Sequence, residues 1–288
     1  MFKIFTDTGA SLPPEIIHQY DLEVLPLFYT VDGVEYPSQE TSNATLEGKA
    51  FYDALRNGAT SRTSMVNIAV FCDAFEKSLS QGFDVLYIGI SSGVSGTYQA
   101  SMLAAQEMAE QYPERKIIAL DTHAASLGEG LPVLYAAQLK NAGSSLEETV
   151  TKTQENYSNI CQYFTVEDLI YLKRGGRISG AAALVGNIMQ IKPILMGTEE
   201  GQIALYRKER GWKRTLEALL IIYEKLASDK SKPMGIAHAD NQEDAKFLAD
   251  KLRECGQQGE IHTVFFDPVT GSHVGPGAIA LFFYGTHR

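Results

Sequence analysis

At 288 residues, with 44% hydrophobic and 21% charged residues, the chain has enough apolar mass for a large core and length enough for two domains. A formal net charge of -10 leaves no general basic face for phosphate backbones, which argues against nucleic-acid binding. No stretch reaches the roughly eighteen apolar residues of a membrane span.

The N-terminal MFKIFTDTG reads as an immediate first strand and lacks the regions of a signal peptide. FKIFT, IIHQYD and EVLPLFYTV come next as short β-type runs, followed by helical patterns near 45–56 and 68–80 and by the buried-strand run DVLYIGI. A helix over 97–111, the run KIIALD and helices over 125–141 and 145–157 follow. This alternation predicts an α/β fold with a parallel sheet covered by helices. Beyond about residue 160 the rhythm changes to CQYFTV, DLIYLKRGGRIS, IKPILMG and QIALYRK, with a helix over 211–227. PMGIAHAD, a helix over 241–254, EIHTVFF and AIALFFYG close the chain. The expected division is therefore 1–160 and 161–288, with no Pro/Gly/Ser linker between the two and no internal repeat. Cys72, Cys161 and Cys255, odd in number and far apart, suit buried thiols in a reducing cytoplasm.

In an open parallel sheet the ligand crevice lies outside the carboxyl ends of the strands. Polar residues gather at such places in TDTGAS (Thr6, Asp7, Thr8, Ser11), TSRTS (Thr60, Ser61, Thr63, Ser64), GISSGVSGTYQA (Ser91, Ser92, Ser95, Thr97) and DTHAAS (Asp121, Thr122, Ser126). Each alone suits a helix cap. Together they make a hydroxyl-lined rim, and the 89–100 stretch lacks the Lys of a Walker phosphate cradle. Near the other end, PVTGSHVGPGAIALFF frames His273 with Gly275, Pro276 and Gly277, which predicts a tight turn open to a ligand or a second backbone. The remaining histidines, His18, His123, His238, His262 and His287, show no metal-ligand spacing, and no metal site is expected.

An enzyme reading competes. Gly89, Ile90, Ser91, Ser92 and Gly93 match GxSxG, and Asp267 and His273 follow in the order of an α/β-hydrolase triad, so an esterase is the alternative. Against it, Gly93 to Gly96 delay the helix that should follow the nucleophile directly, and no HGGG-type oxyanion loop is present. A nucleotide-binding module is weaker still, for want of a nucleotide fingerprint.

TDTGASLP, RTSMVN, SSGVSGTYQA, DTHAASLGEG, DLIYLKRGGRIS, IKPIL and GSHVGPGAIALFF stand in the order and spacing of the DegV family. Over essentially its whole length the chain resembles these bacterial fatty-acid-binding proteins. The resemblance implies a two-domain DegV-like fold, an N-terminal parallel-sheet α/β domain plus a C-terminal α/β domain, with one fatty acid enclosed between them. It further implies a non-catalytic carrier with no cofactor besides that ligand. Some members are the binding subunit of fatty acid kinase and present the carboxyl group to a separate kinase for acyl phosphate formation, a step of phospholipid metabolism. Carried over by motif, the carboxyl ligands are Thr63, Ser95 and His273, with Ser64, Ser92, Gly96, Thr97 and Gly275 as secondary ligand-loop candidates. The chain departs from the family where Thr8, TSMVN and VSGTY replace TDS, TSQPS and LSGTY. Met65, Val66 and Asn67 in place of Gln-Pro-Ser bear on loop shape and ligand choice.

A carboxyl head beside an apolar tail needs a few oriented donors where water is excluded, and hydroxyls with helix-terminal N–H groups satisfy either its charged or its neutral form. Residues available for a tail tunnel are Met65, Phe164, Leu184, Ile188, Met189, Ile191, Leu195, Phe282 and Phe283. Residues 168–214 hold nine Lys or Arg against four Asp or Glu, in a chain that is otherwise acidic. Cations near a helix start oppose its dipole, so the clusters KRGGR and RKERGWKR suggest a surface for an acidic partner, with Arg177 and Arg207 as leading contacts.

Overall fold

The computed structural model describes residues 1–38, 46, 48–178 and 191–286. Strands β1 (Phe2–Asp7), β2 (Glu23–Leu25), β6 (Asp84–Gly89) and β7 (Ile117–Asp121) form an all-parallel sheet in the order β2-β1-β6-β7. The burial of Val85 to Ile90 on both faces of β6 fits its near-continuous apolar sequence, as expected for a parallel strand covered by helices. A small antiparallel sheet, β4-β3-β5, is built from β3 (Phe28–Val31), β4 (Val34–Pro37) and β5 (Ser61–Ser64). It was not legible beforehand, because TSRTS looks like a cap-rich loop. Its pairing to Phe28–Val31 makes β5 a strand.

The second large sheet is mixed, in the order β10-β9-β8-β13-β11-β12. Its members are β8 (Ile160–Thr165), β9 (Ile191–Gly197), β10 (Ile203–Arg210), β11 (Met234–His238), β12 (Ile261–Phe265) and β13 (Ile279–Tyr284). Only β11 and β12 run parallel; β13 enters between β8 and β11, antiparallel to both.

The helices among the described residues are α1 (Pro14–Tyr20), α2 (Gly48–Arg56), α3 (Ile68–Leu79), α4 (Thr97–Gln111), α5 (Leu127–Asn141), α6 (Leu146–Tyr157), α7 (Ile170–Arg174), α8 (Trp212–Leu226), α9 (Gln242–Glu254) and α10 (Pro268–Val274). IIHQYD, read as a β-type run, is mostly α1: Pro14 opens the helix with its φ preset, and Asp21 closes it at φ 51°. Helix α5 is buried from Leu127 to Leu134 and packs against β1 and β6 on one side and β8, β11 and β13 on the other. That position between two sheets explains a sequence apolar nearly all round. None of the described helices is long and apolar enough to cross a membrane. The cysteines are free thiols; Cys161 is fully buried, while Cys72 and Cys255 are partly exposed.

Candidate functional site

Strand periodicity builds the polar end of the site. Ser61 and Thr63 share one face of β5, and that face meets α10. Ser61 Oγ lies 2.6 Å from Ser272 Oγ, and Thr63 Oγ1 lies 2.9 Å from His273 Nε2. His273 was expected in a turn; it stands in the last turn of α10, which starts at Pro268 and is capped by Asp267. The glycines around it permit close packing of α7 on α10. A Cβ on Gly175 would sit 2.1 Å from His273 Nδ1, and one on Gly275, at φ 74°, would meet the Tyr171 ring at 2.3 Å. Gly275 therefore seats Tyr171 and does not line the cavity.

Ser95 comes from the β6–α4 loop. Its hydroxyl is 2.9 Å from Thr97 Oγ1 and accepts from Thr97 N at 3.3 Å. Buried Thr97 thus orients Ser95 from behind, outside the cavity lining. The N–H of Ser92 donates to Asp121, and Ser92 also stays outside the lining. Ser64 and Gly96 do line it, and a Cβ on Gly96 would lie 2.7 Å from Met65 Sδ.

From this polar end a cavity of about 260 Å3 extends between the two large sheets, just below the roughly 300–1,000 Å3 typical of small-molecule sites. Phe164, Ala280 and Phe282 supply its apolar wall from the second sheet, joined by Ile90, Phe266 and Val269. Of the expected tail residues, Met65, Phe164 and Phe282 line the cavity. Phe283, one residue out of phase, packs instead with Tyr163 and Tyr223 on the opposite face of the sheet. Leu195 is buried elsewhere in the core and Ile191 is exposed, whereas Leu184, Ile188 and Met189 lie outside the described residues. Gln162, unforeseen from the sequence, enters the cavity from β8 and donates to the His123 carbonyl at 3.3 Å.

The turn between β9 and β10 reaches across to the first sheet. Ser91 Oγ donates to the Gly201 carbonyl at 2.8 Å and accepts from Gly93 N at 3.0 Å. Gly201 sits at φ +72°, and a Cβ there would strike both Ser91 Oγ and His123. This overturns the esterase alternative. Ser91 is occupied by a backbone contact, His273 is paired with Thr63, and Asp267 caps α10 through Val269 N, Thr270 N and the Thr270 hydroxyl. The three residues of the sequence pattern serve three separate structural tasks.

Charge separates the front of the cavity from the layer behind it. Burial, aided by the nearby Arg177 cation, pushes His273 down to about 4, so its ring is neutral at neutral pH. Behind Ile90, burial raises Asp7 to about 6 although it accepts from Tyr87 OH at 2.6 Å and from Ile90 N and Gly9 N. Glu129, hydrogen-bonded by Thr6 at 3.1 Å, is raised well above the carboxylate range by burial and then by Asp7. Asp7 was legible as a polar rim residue. Glu129 was not, since LGEGLP gives no sign that its acid faces inward.

The two arginines expected on a partner surface differ in place. Arg177 lines the cavity with a half-buried guanidinium, its Nε donating to Val94 O at 3.0 Å and Nη1 to Gly175 O. Gly176, at φ 71°, turns the chain that brings it there. Arg177 is thus half-buried at the cavity, where the sequence suggested an exposed basic cluster. Arg207 stays on the partly exposed β10, paired with Glu209 at 2.9 Å. Among the described residues no cluster of three or more His, Cys, Asp or Glu could hold a metal.

Residues 1–286 match the model of the family described as "Uncharacterised protein, DegV family". A DegV domain-containing protein of Clostridium perfringens is 41% identical over 285 residues, 99% of this chain and 97% of its own. Among solved structures, a Thermus thermophilus DegV family protein described by its fatty acid binding superposes with a TM-score of 0.89 at 28% identity, covering 99% of both chains. A fatty acid binding DegV family protein of Streptococcus agalactiae gives 0.87 at 31% identity, covering 98% of both. The two-sheet architecture, the motif order and these likenesses agree over the same residues, and the chain belongs to the DegV family.

Proposed function

We propose that this chain is a non-catalytic carrier that encloses one long-chain fatty acid between its two large sheets and presents the carboxyl group to a partner kinase for acyl phosphate formation. The observation that carries the binding reading is the cavity itself: an apolar interior ending at Thr63, Ser95 and His273. Fatty acid binding by structural relatives of the same fold supports it. A neutral His273 protonated on Nε2 donates to Thr63 and leaves the Thr63 hydroxyl free to donate to a carboxyl oxygen, while Ser95 supplies a second hydroxyl. The tail supplies the affinity. At roughly 0.8 kcal/mol per buried CH2, about fifteen methylenes give on the order of 12 kcal/mol gross, less at least about 4 kcal/mol for association and ordering. The kinase step rests on family resemblance and on the basic stretch around Arg207.

The test is denaturing extraction of the purified protein followed by mass spectrometry. One free long-chain fatty acid per chain is expected. Absence of a stoichiometric acyl chain, together with no uptake of added fatty acid by delipidated protein, would remove the carrier reading.

A further inference from the structure

Strand β8 places a polar side chain where its period calls for an apolar one. Cys161 and Tyr163 pack in the core on the outer face of the sheet, while Gln162 and Phe164 face the cavity. The cross-strand partners of those two on β13, Phe282 and Ala280, are apolar and line the same cavity. Gln162 is only 8% exposed, and an amide so placed is costly unless its donors and acceptor are hydrogen-bonded. Nε2 makes one long bond, to the His123 carbonyl at 3.3 Å, and Oε1 accepts none from the described residues. Two glycines leave a slot that fixes the amide in this position: a Cβ on Gly128 would lie 2.8 Å from Oε1, and one on Gly197 would lie 2.8 Å from Nε2. The Phe164–Ala280 pair stands toward the end of the sheet where α10 leads into β13 and β8 leads on to α7, the two helices that pack around His273. The Gln162–Phe282 pair lies two residues, or about 7 Å, farther along the strands. A gripped amide with an unused acceptor thus interrupts an apolar wall beyond the head-group end.

We propose that Gln162 is a subsite for a hydroxyl group carried part-way along the acyl chain, so that the cavity is fitted to mid-chain hydroxy fatty acids. This inference rests on the fatty-acid reading above and narrows its ligand class. A hydroxyl satisfies both ends of the amide, donating to Oε1 and accepting from the second N–H of Nε2. A saturated methylene chain leaves both unpaired, and a double bond offers no donor. The Ser91 hydroxyl, which also lines the cavity, is already committed to the Gly201 carbonyl and to Gly93 N. The slot between Gly128 and Gly197 holds the amide in place before any ligand arrives, so little ordering is left to oppose binding.

The experiment offers delipidated full-length protein equal amounts of stearic acid and one hydroxystearic acid, moves the hydroxyl along the chain from one trial to the next, and quantifies the bound lipids by extraction and mass spectrometry. In the wild type at least one positional isomer should be retained as well as stearic acid or better. Gln162→Leu should lower the bound ratio of that isomer to stearic acid by roughly ten- to a hundredfold, because the hydroxyl then enters an apolar wall unpaired. Gln162→Met, closer to glutamine in shape, repeats the measurement should the leucine variant fail to fold. If neither folds, the wild-type ratios decide: retention of an isomer supports the subsite, and exclusion of every isomer refutes it. A ratio unmoved in a folded variant would also overturn the proposal. Uptake of neither lipid would bring down the carrier reading and this inference with it, whereas uptake of stearic acid alone defeats the subsite and leaves the carrier standing.

Discussion

The two large sheets contribute to the cavity in different ways. The parallel sheet gives its chemistry through loops: Ser91 and Ser95 after β6, and His123 and Ser126 after β7. The mixed sheet gives a wall through the strands themselves, with Ala280 and Phe282 alternating inward on β13 and Gln162 and Phe164 on β8. Loops at strand ends can place polar groups one by one, while a strand face offers a continuous surface whose every second residue is committed. The comparison teaches that the cavity's polar groups and its apolar wall are carried by separate parts of the chain and can be altered separately.

The largest effect should come from the wall. Ala280, 1% exposed at the cavity, replaced by Phe should displace roughly four methylenes of an acyl chain, on the order of 3 kcal/mol or about a hundredfold in affinity. Overpacking should cost the fold about 1–3 kcal/mol. Extraction with mass spectrometry and thermal melting read the two effects; unchanged lipid occupancy would place the acyl chain elsewhere.

Next in size is a contrast between the front of the cavity and the acids behind it. His273 has a folded pKa of about 4, below its ordinary value of 6.5, so its contribution to stability is present above pH 6.5 and is lost as pH falls toward 4. Asp7 has the opposite sign: with a folded pKa of about 6 against 3.8, its burial penalty is relieved as pH falls from 6 toward 4. Relative to the wild type, His273→Gln should therefore gain stability on acidification and Asp7→Asn should gain less, each by on the order of 2–3 kcal/mol across that window. Denaturant titrations at several pH values check the signs, and parallel profiles for all three proteins would contradict both.

Smaller is the head-group term. Ser95→Ala should weaken fatty acid binding by about 1 kcal/mol, and by more if the bond is charge-assisted. Ser91→Ala should leave affinity nearly unchanged and should not alter ester turnover, for which no triad is assembled. Ester hydrolysis abolished by Ser91→Ala with the fold intact would reverse that conclusion.

Smallest for ligand binding is Arg207→Ala, since Arg207 lies outside the cavity lining. Lipid occupancy should hold while acyl phosphate formation with a cognate fatty acid kinase slows. For the wild type, that turnover should fall with salt as exposed charges are screened. Normal turnover of the variant at limiting carrier concentration would remove Arg207 from the partner surface.

The α/β rhythm was legible because buried parallel strands and their covering helices each impose a period on the sequence. Thr63, Ser95 and His273 were nameable through motif resemblance, and their convergence was not, because Thr63 and His273 lie 210 positions apart and meet only where β5 packs on α10. The half-burial of Arg177 was not legible, because a cation in KRGGR looks solvated until Gly176, at φ 71°, is seen to turn the chain toward the cavity. Glu129 went unnoticed for a related reason: one acid within an apolar helix carries no mark of the sheet it will face. The triad-like order of Ser91, Asp267 and His273 shows the converse, a linear coincidence that three-dimensional partners dissolve.

The Gly201 turn resting on Ser91 joins the two sheets through the Ser91 hydroxyl, over backbone too close for any Cβ. A Cβ at position 201 would overlap both Ser91 Oγ and His123, so this contact tolerates glycine alone. A substitution at this hairpin tip therefore strains the seam between the two sheets while leaving the Phe164 and Phe282 wall of the cavity in place.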